Sequence, residues 1–493
     1  MFHDARRLPP GARLDADICV VGAGAAGIAL TRALRRSGLR ICVLESGGLA
    51  VDQASQALAE GEIGAMPYPP LQRGRLRCFG GTTGHWAGWC RPPRHRNFLA
   101  RRWVPHSGWP FELDALEPYL RQAHEICGLG PYDYRPAAWA TPPSREPLPL
   151  ARSSLETAVT QFSLPVRFGE AYRAELEGAH EVGVWLHATV LDFELDPRGR
   201  RVLRAIAAAT DGTRFTVRAR IYVLATGGIE NARLLLVASA SRPGALGNRY
   251  DLVGRFFMDH LKVEVGRFQP VDGELPLGFY QRHVVRGTPI KGHLCFAEEV
   301  LERERLLECY FELEPSEDGH RGLGRSVWAL ASGQPLTRRP PVSWVVMLRV
   351  DPAPNPASRV VLGEQRDALG LPRPRVELRY GEHERRAVAR GVRLLAHELG
   401  RRGLGRLQLG PGASGMWPPP AGTAVITGYH HMGTTRMHAD PRQGVVDPTG
   451  CVHGMRNLYI AGSSIFPGYE GYPTLLIVAL ALRLGAHLRS RLA

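Results

Sequence analysis

Three glycines and one acid near the start of the chain have the spacing of a dinucleotide-binding turn. Gly22, Gly24 and Gly27 form a G-x-G-x-x-G pattern, and Glu45 follows eighteen residues after the last of them. In such turns the first glycine permits a sharp bend, the second lets the main chain approach a diphosphate, and the third lets helix and strand pack closely. An acid at that distance can accept hydrogen bonds from the ribose hydroxyls. The pattern therefore predicts binding of NAD or FAD.

The segments around these residues have the patterns needed to position them. Residues 18–21 predict a strand, the small residues after them predict a turn and a helix, and residues 41–44 predict a second strand that ends at Glu45. The first turn of that helix offers free N–H groups and a positive dipole end to a diphosphate. Glycine-rich turns also serve plain packing, so the combination of strand, helix and acid is what favours dinucleotide binding.

The composition is typical of a globular protein of more than one domain. The chain has 493 residues, of which 44% are hydrophobic and 22% charged. No window approaches eighteen uninterrupted apolar residues, so we expect no membrane span. The N-terminal residues lack the apolar core of an export signal. We therefore expect a cytoplasmic protein without a membrane partner.

The formal charge of +15 raises the question of a polyanionic partner. Lys262 and Lys291 are the two lysines among the 62 basic residues, and the 60 arginines are scattered rather than clustered in a long run. A coding bias explains this better than nucleic-acid binding, which we do not expect. The eight cysteines contain no C-x-x-C pair, which argues against a zinc ribbon, a redox pair of that type or a c-type haem. We expect no metal site and reduced, mostly buried thiols.

Later segments extend the nucleotide-binding unit. Runs at 182–195 and 213–225 predict strands of a meander, followed by a glycine turn and a helix that begins near Glu230. The chain returns to a strand and small-residue turn at 457–466 and ends in a predicted helix, 473–490. The nucleotide domain is thus expected to combine segments from the beginning, middle and end of the chain.

Six segments along the chain resemble the glucose–methanol–choline (GMC) family of FAD-dependent oxidoreductases. They are VVGAGAAGIAL with VLESG, FGGTTGHWAG, LATGGIENARLLL, VGRFFMDH, SRVVLGEQRDALGLPR and HHMGTTRMHADPRQGVVDPTGCVHGMRNLYIAGSSIFP. Within the family, these motifs are most similar to the branch that contains pyranose oxidases, the flavin subunits of gluconate and fructose dehydrogenases, and dehydrogenases of aminoglycoside biosynthesis. The resemblance covers nearly the whole chain.

The resemblance implies an α/β fold with a discontinuous Rossmann-like FAD-binding domain and an α+β substrate domain that contains an antiparallel sheet. The three parts of the FAD-binding domain would be residues 12–93, 161–260 and 423–493. A covering segment would span residues 94–160, and the substrate domain would span residues 261–422.

The resemblance also implies which residues bind FAD. The first turn and Glu45 would hold the ADP half, Val190 would touch the adenine, and the others would lie against the diphosphate, ribityl chain and flavin. The full set is Gly22, Gly24, Gly27, Glu45, Gly81, Thr82, Thr83, His85, Val190, Ala461, Gly462, Ser463, Pro473 and Thr474. In pyranose oxidases, whose motif is similar, a histidine in the place of His85 binds the flavin covalently. His85 either does the same or packs near the flavin edge.

His430 matches the catalytic histidine of the family, and its neighbour His431 would point elsewhere in an extended segment. A base with a pKa near 6.5 suits removal of a hydroxyl proton at neutral pH. The family's partner residue is His or Asn just before the last helix, but Tyr472 stands there in this chain. Either His430 works with Tyr472, or Tyr469 or Glu470 substitutes, or the reaction is not simple alcohol oxidation.

The function implied is oxidation of a primary or secondary hydroxyl by FAD, on a sugar, glycoside or aminocyclitol, by a dehydrogenase or oxidase that serves biosynthesis. The electron acceptor would be oxygen, a quinone or another protein. The alternative on the same scaffold is desaturation, oxidative cyclisation or decarboxylation, because Tyr472 replaces the usual residue. An NADPH-dependent monooxygenase would give the histidine block no role, and a non-catalytic flavin protein would not be reduced by a substrate.

Overall fold

The protein is described from a computed structural model, which describes residues 1–142, 145–151, 153–164, 166–271, 275–316, 343–469 and 471–492. Its strands are β1 Phe2–Asp4, β2 Arg13–Val21, β3 Ile41–Leu44, β4 Glu62–Ile63, β5 Trp89–Cys90, β6 Leu155–Phe162, β7 Val182–Leu186, β8 Ala188–Leu195, β9 Val202–Ala209, β10 Arg214–Leu224, β11 Leu261–Pro270, β12 His283–Val285, β13 Thr288–Phe296, β14 Cys309–Pro315, β15 Trp344–Val350, β16 Arg359–Arg366, β17 Pro372–Glu377, β18 Gly405–Leu409, β19 Val425–Thr427 and β20 Leu458–Ile460.

The α-helices of the described residues are α1 Ala25–Leu34, α2 Gln53–Ala57, α3 His95–Phe98, α4 Glu117–Ile126, α5 Phe168–Ala171, α6 Arg173–Glu177, α7 Gly227–Ser239, α8 Glu298–Glu304, α9 Glu382–Arg401 and α10 Pro473–Leu492. Within the described ranges, no helix combines the length and apolarity that crossing a membrane requires.

The first sheet has the strand order β1-β7-β3-β2-β10-β9-β8. The strand β10 pairs with β9 through residues 214–217 and with β20 through residues 222–224. The strands β1, β7, β3, β2, β10 and β20 are parallel, whereas β8, β9 and β10 form an antiparallel meander. Residues 18–21 of β2 are almost completely buried because helices cover both faces of such a sheet. Strands from three distant parts of the chain therefore form one nucleotide-binding sheet, and the predicted α/β fold class is confirmed.

Two predicted elements differ from the structure. The run at 182–195 is two strands, because His187 has a positive φ of 57° and breaks the run. The first half, β7, joins the parallel sheet, and the second half, β8, starts the meander. The helix predicted to begin near Glu230 begins at Gly227.

The second sheet is antiparallel and has the order β18-β11-β15-β14-β13-β6-β5, with β12 on β13 and β19 on β11. One face packs on α9, where Gly391 lies against Phe296, Cys309 and Phe311. Because side chains alternate along a strand, residues such as Tyr310 and Glu312 face the other way. That second face is polar and forms one wall of the site described below.

The sheets cross the domain boundaries suggested by the sequence. β1 belongs to the first sheet although it precedes residue 12. β5 and β19 belong to the second sheet although both lie in segments assigned to the FAD-binding domain. A small third sheet, β16-β17-β4, joins residues of the substrate segment to the N-terminal part. The division into domains stays a prediction.

Candidate active site

A cavity of 610 Å³ is lined by residues of both large sheets. Gly27 and Ala461 do not line it, but the other predicted cofactor residues and both predicted catalytic residues do. The lining members are Gly22, Gly24, Glu45, Gly81, Thr82, Thr83, His85, Val190, Gly462, Ser463, Pro473, Thr474, His430 and Tyr472. Tertiary folding thus brings residues from five distant segments to one space.

The three glycines of the first turn have different surroundings. Gly22 has a φ of 101°, and a Cβ there would lie 2.7 Å from the Ala225 carbonyl oxygen. A Cβ on Gly27 would overlap with the carbonyl oxygen of Gly22, so this glycine lets α1 pack on the turn. A Cβ on Gly24 would meet nothing within 4 Å, although Gly24 lines the cavity. Gly24 is therefore the position at which a diphosphate could approach the backbone.

Glu45 is buried at the end of β3 and faces the cavity. Its Oε2 accepts the N–H of Ala23 at 2.9 Å, and its Oε1 accepts the N–H of Gly47 at 3.0 Å. A carboxylate offers about four lone-pair sites, so capacity remains for ribose hydroxyls. Burial raises the pKa of Glu45, and the two N–H donors oppose that shift.

The G-G-T-T-G segment packs on the first turn as a short 3₁₀-helix, Gly81–Gly84. A Cβ on Gly81 would lie 3.0 Å from the Cα of Gly24. The Thr83 hydroxyl donates to the carbonyl of Gly80 at 2.6 Å, so its side chain holds the turn together. His85 is exposed toward the cavity, and partial burial together with Arg167 lowers its pKa.

The segment before the last helix completes the cofactor end of the cavity. Gly462 has a φ of 104°, and the Ser463 hydroxyl donates to the carbonyl of His431 at 2.7 Å. Pro473 and Thr474 form the first turn of α10, so the positive dipole end of that helix faces the cavity. Ala461 lies outside the cavity and donates its N–H to Leu224 on β10. Together with Gly24 and Glu45, these groups fit the diphosphate and ribose of FAD.

His430 lines the cavity, and its main chain is fixed by a buried acid. Its N–H donates to Asp259 Oδ1 at 3.0 Å, and its Nδ1 lies 3.4 Å from the Tyr469 hydroxyl. The His260 ring meets it edge-on, with 5.0 Å between ring centroids. Burial, and to a lesser extent the charge of Arg349, lowers the pKa of His430 to about 3, well below that of a free imidazole. The imidazole is therefore neutral at pH 7 and can accept a proton.

His431 is directed to a different partner, as expected for adjacent residues of an extended segment. Its Nε2 lies 3.0 Å from the Tyr68 hydroxyl, which donates to Asp259 Oδ2 at 2.5 Å. Asp259 Oδ1 also accepts the N–H of His260 at 2.8 Å. Burial raises the pKa of Asp259 to about 6. This acid belongs to the V-G-R-F-F-M-D-H segment, but its role as a fixed point for the histidines was not predicted.

Tyr472 is enclosed between an aromatic ring and a cation. Its ring is stacked on Trp89 with 5.7 Å between centroids, and the Arg349 guanidinium carbon lies 4.3 Å from the ring centre. Its buried hydroxyl has no hydrogen-bond partner among the described residues. Burial raises the pKa of Tyr472, and Arg349 opposes that shift. The phenol in hydrogen-bonding reach of His430 is Tyr469, while Glu470 lies outside the described residues.

Several charged lining residues were not singled out from the sequence. At the cofactor end, Arg75 Nη1 and Arg77 Nη2 lie 2.6 and 3.0 Å from the two carboxylate oxygens of Glu230. The basic R-G-R-L-R run was the signal available for the two arginines. At the other end, the antiparallel sheet contributes Lys262, Glu312 and Arg349, and His260 lies beside them. His260 ends the V-G-R-F-F-M-D-H segment, whereas no local motif marks Lys262, Glu312 or Arg349.

Comparison with protein families agrees with this architecture. Residues 354–481 match the family described as GMC oxidoreductase, and residues 17–243 match the family described as FAD dependent oxidoreductase. These matches support the assignment of the chain as a GMC-type FAD-dependent oxidoreductase. The predictions of family, enzyme class and FAD as cofactor are confirmed.

The similar proteins match along nearly their full length. The large subunit of fructose dehydrogenase from Gluconobacter japonicus is 25% identical, and the match covers 95% of this chain and 97% of that protein. 6'''-Hydroxyparomomycin C oxidase from Streptomyces lividus is 27% identical, with 97% and 92% covered. A crystal structure of formate oxidase has a TM-score of 0.58 at 16% identity, with 98% and 99% covered. The last likeness shows the fold alone.

Proposed function

We propose that the protein oxidises a primary or secondary hydroxyl group on a sugar, glycoside or aminocyclitol. The observation that carries the proposal is a neutral, partly buried His430 that faces a cavity whose other end fits a dinucleotide. Relatives that match over the whole chain include a fructose dehydrogenase and an aminoglycoside oxidase. The substrates named for these two relatives are the reason for proposing a sugar, glycoside or aminocyclitol.

His430 has the role of general base. FAD, when bound, would supply the acceptor for the hydride of the carbinol carbon. His430 takes the hydroxyl proton, because an alkoxide donates hydride far better than an alcohol does. Its Nδ1 faces Tyr469, so its Nε2, which has no hydrogen-bond partner in the described part of the chain, is the nitrogen for the substrate.

The remaining residues position this base. Asp259 holds the backbone of His430 and of its neighbour His260. Tyr469 contacts both imidazoles and limits rotation of the rings. Tyr472 and Trp89 form an aromatic wall of the cavity. A positioned general base contributes a rate factor of roughly 10²–10⁴.

The test is anaerobic titration of the purified yellow protein with a panel of sugars, glycosides and aminocyclitols. We expect at least one compound to bleach the flavin and to yield a carbonyl product. His430→Ala should stay yellow and slow the bleaching by about 10²-fold or more. His397→Ala, which changes an exposed histidine of α9, is the matched control and should leave the rate unchanged.

Two results would contradict the proposal. Bleaching without a carbonyl product would favour desaturation, oxidative cyclisation or decarboxylation, the chemistry that the Tyr472 replacement raises. Normal bleaching in His430→Ala would remove this residue from the mechanism. Dye reduction measured with and without oxygen then distinguishes an oxidase from a dehydrogenase that uses a quinone or a protein acceptor.

A further inference from the structure

Two cations lie directly opposite each other on the cavity wall. Lys262 of β11 and Arg349 of β15 are paired in the antiparallel register, so their side chains extend from the same face of the sheet. Both line the cavity beside His260. Like charges in directly opposite positions destabilise a sheet. Because this pair of cations destabilises the sheet and is largely buried, its presence points to a ligand of opposite charge.

The protein satisfies these cations incompletely. Lys262 Nζ lies 2.9 Å from Glu312 Oε2, but the same oxygen is 3.1 Å from the Nζ of Lys291. One carboxylate is therefore shared by two lysines, and they lower the pKa of Glu312 to about 2 although burial opposes this. Lys291 also pairs with Glu314, which is half-exposed and does not line the cavity.

Arg349 has a buried donor without a partner among the described residues. Its guanidinium carbon lies over the rings of Tyr310 and Tyr472, at 4.4 and 4.3 Å from their centres. Its Nε lies 3.3 Å from Asp351 Oδ1. Its Nη2 is buried and has no hydrogen-bond acceptor among the described residues. A Cβ on Gly471 would overlap with the guanidinium, so this glycine leaves space for it beside Tyr472.

We propose that Arg349 and Lys262 bind a carboxylate of the substrate, so that the compound oxidised is a hydroxy acid such as a sugar acid. This inference rests on the proposed function and narrows its substrate class. A carboxylate supplies the acceptor that the Arg349 Nη2 lacks. It also adds a negative charge to those of Asp351 and of Glu312, which Lys262 shares with Lys291. Hydrogen bonds between guanidinium and carboxylate are charge-assisted and stronger than neutral ones.

The same geometry disfavours an amino sugar at this end of the cavity. An ammonium group would need a carboxylate, and Glu312 is the carboxylate among the described lining residues of the antiparallel sheet. Its Oε2 already accepts two lysines. The ammonium would also face the positive charges of Lys262 and Arg349. The wall therefore selects acids over neutral sugars, and neutral sugars over amines.

The first experiment compares three compounds with the same ring but different charge. Glucuronic acid, glucuronamide and 6-amino-6-deoxyglucose, which differ in the group at C6, are titrated anaerobically against the yellow protein. We expect the acid to bleach the flavin at a concentration at least tenfold lower than the amide, and the amine to be the poorest. Arg349→Gln should remove most of the preference for acid over amide, whereas Arg349→Lys should keep part of it.

The second experiment needs no turnover. Acetate, as a small carboxylate, should perturb the visible flavin spectrum with saturation, whereas acetamide should not, and Arg349→Gln should abolish the response. Because Arg349→Gln leaves Asp351 buried without its partner, Arg349→Gln/Asp351→Asn is the variant to use if the single change does not fold. Lys262→Met should weaken the acetate response without abolishing it.

The outcomes separate this inference from the proposed function. If no hydroxylated compound bleaches the flavin, the proposed function fails, while the acetate titration still tests the anion site. If acid and amide bleach equally well and acetate gives no response, the site is wrong but hydroxyl oxidation stands. If Arg349→Gln shifts the flavin potential and leaves the acid preference intact, Arg349 serves the cofactor and the inference is overturned.

Discussion

The hydroxyl of Tyr469 lies 2.6 Å from Nδ1 of His260 and 3.4 Å from Nδ1 of His430. One phenol therefore connects two imidazoles at the cavity. Tyr472, which follows three residues later, instead packs its ring between Trp89 and the Arg349 guanidinium. The contacts thus favour Tyr469 as the partner of His430, one of the alternatives left open by the sequence.

Replacement of these two tyrosines by Phe should have unequal effects. Tyr469→Phe removes the hydrogen bonds that orient both histidines, and one such bond contributes about 1 kcal/mol. We expect flavin reduction by substrate to slow about tenfold, measured by anaerobic stopped flow. Tyr472→Phe keeps the stacked ring, so its rate should stay within about threefold of the unmutated protein. A larger loss in Tyr472→Phe than in Tyr469→Phe would contradict this assignment, and Tyr472→Asn tests whether the ring itself is needed.

The pH dependence of flavin reduction should reflect the low pKa of His430. Because burial and Arg349 lower this pKa to about 3, the neutral base persists well below pH 6.5. Between pH 8 and pH 5, we expect titration of His430 to cause little change in the rate constant for flavin reduction. Arg349→Gln should move the acid limb to higher pH, since it removes the cation that lowers the pKa. A half-loss of rate near pH 6.5 in the unmutated protein would show that the imidazole is not shielded in this way.

The same pKa affects stability. Between pH 6.5 and about 3 the unfolded state binds a proton at His430 that the folded state does not, so the free energy of unfolding decreases as the pH falls. His431, whose pKa is also lowered to about 3, acts in the same direction. Asp259 acts in the opposite direction, because burial raises its pKa to about 6. Thermal melts between pH 7.5 and pH 5 should therefore show a smaller loss of melting temperature in His430→Ala, and an unchanged loss would contradict this.

Two glycines of the first turn should respond differently to replacement by Ala. A Cβ on Gly24 meets no protein atom within 4 Å, so Gly24→Ala should leave the apoprotein stable. It should still weaken FAD binding by about tenfold or more, roughly 1.4 kcal/mol, if the diphosphate lies against this residue. Gly27→Ala places a Cβ against the Gly22 carbonyl and should lower apoprotein stability itself, by about 1–3 kcal/mol. Melting of the apoproteins and fluorescence titration with FAD measure the two effects separately, and normal FAD affinity in Gly24→Ala would place the diphosphate elsewhere.

His85 is the residue at which a covalent flavin bond would form. Its ring is exposed toward the cavity, where it can pack near the flavin edge, and partial burial lowers its pKa. We expect acid precipitation of the unmutated protein to release the flavin into the supernatant, and His85→Ala to retain the same flavin content. Colour that stays with the precipitate of the unmutated protein and leaves that of His85→Ala would instead show a covalent bond through this residue.

Much of the cofactor end of the cavity was predictable because its signals are local. The turn at Gly22, Gly24 and Gly27 follows from short-range backbone requirements, and Glu45 directly follows a four-residue strand whose bounds match the prediction. Apolar runs also marked β2, β3, β10, β20 and the stretch that holds β7 and β8. The break at His187 was not predicted, because a positive φ at a non-glycine residue leaves the apolar alternation of the run unchanged.

The residue types and spacings of this chain were sufficient to establish a dinucleotide turn, the GMC resemblance and a histidine pair at 430–431. They were not sufficient to place Tyr469 rather than Tyr472 beside His430, or to bring Lys262 opposite Arg349. Cross-strand partners are set by the register between β11 and β15, whose residues are far apart in the chain. Because strand register brings Lys262 and Arg349 together, no local sequence motif marks them. The charge of this part of the cavity wall was therefore decided by the tertiary structure.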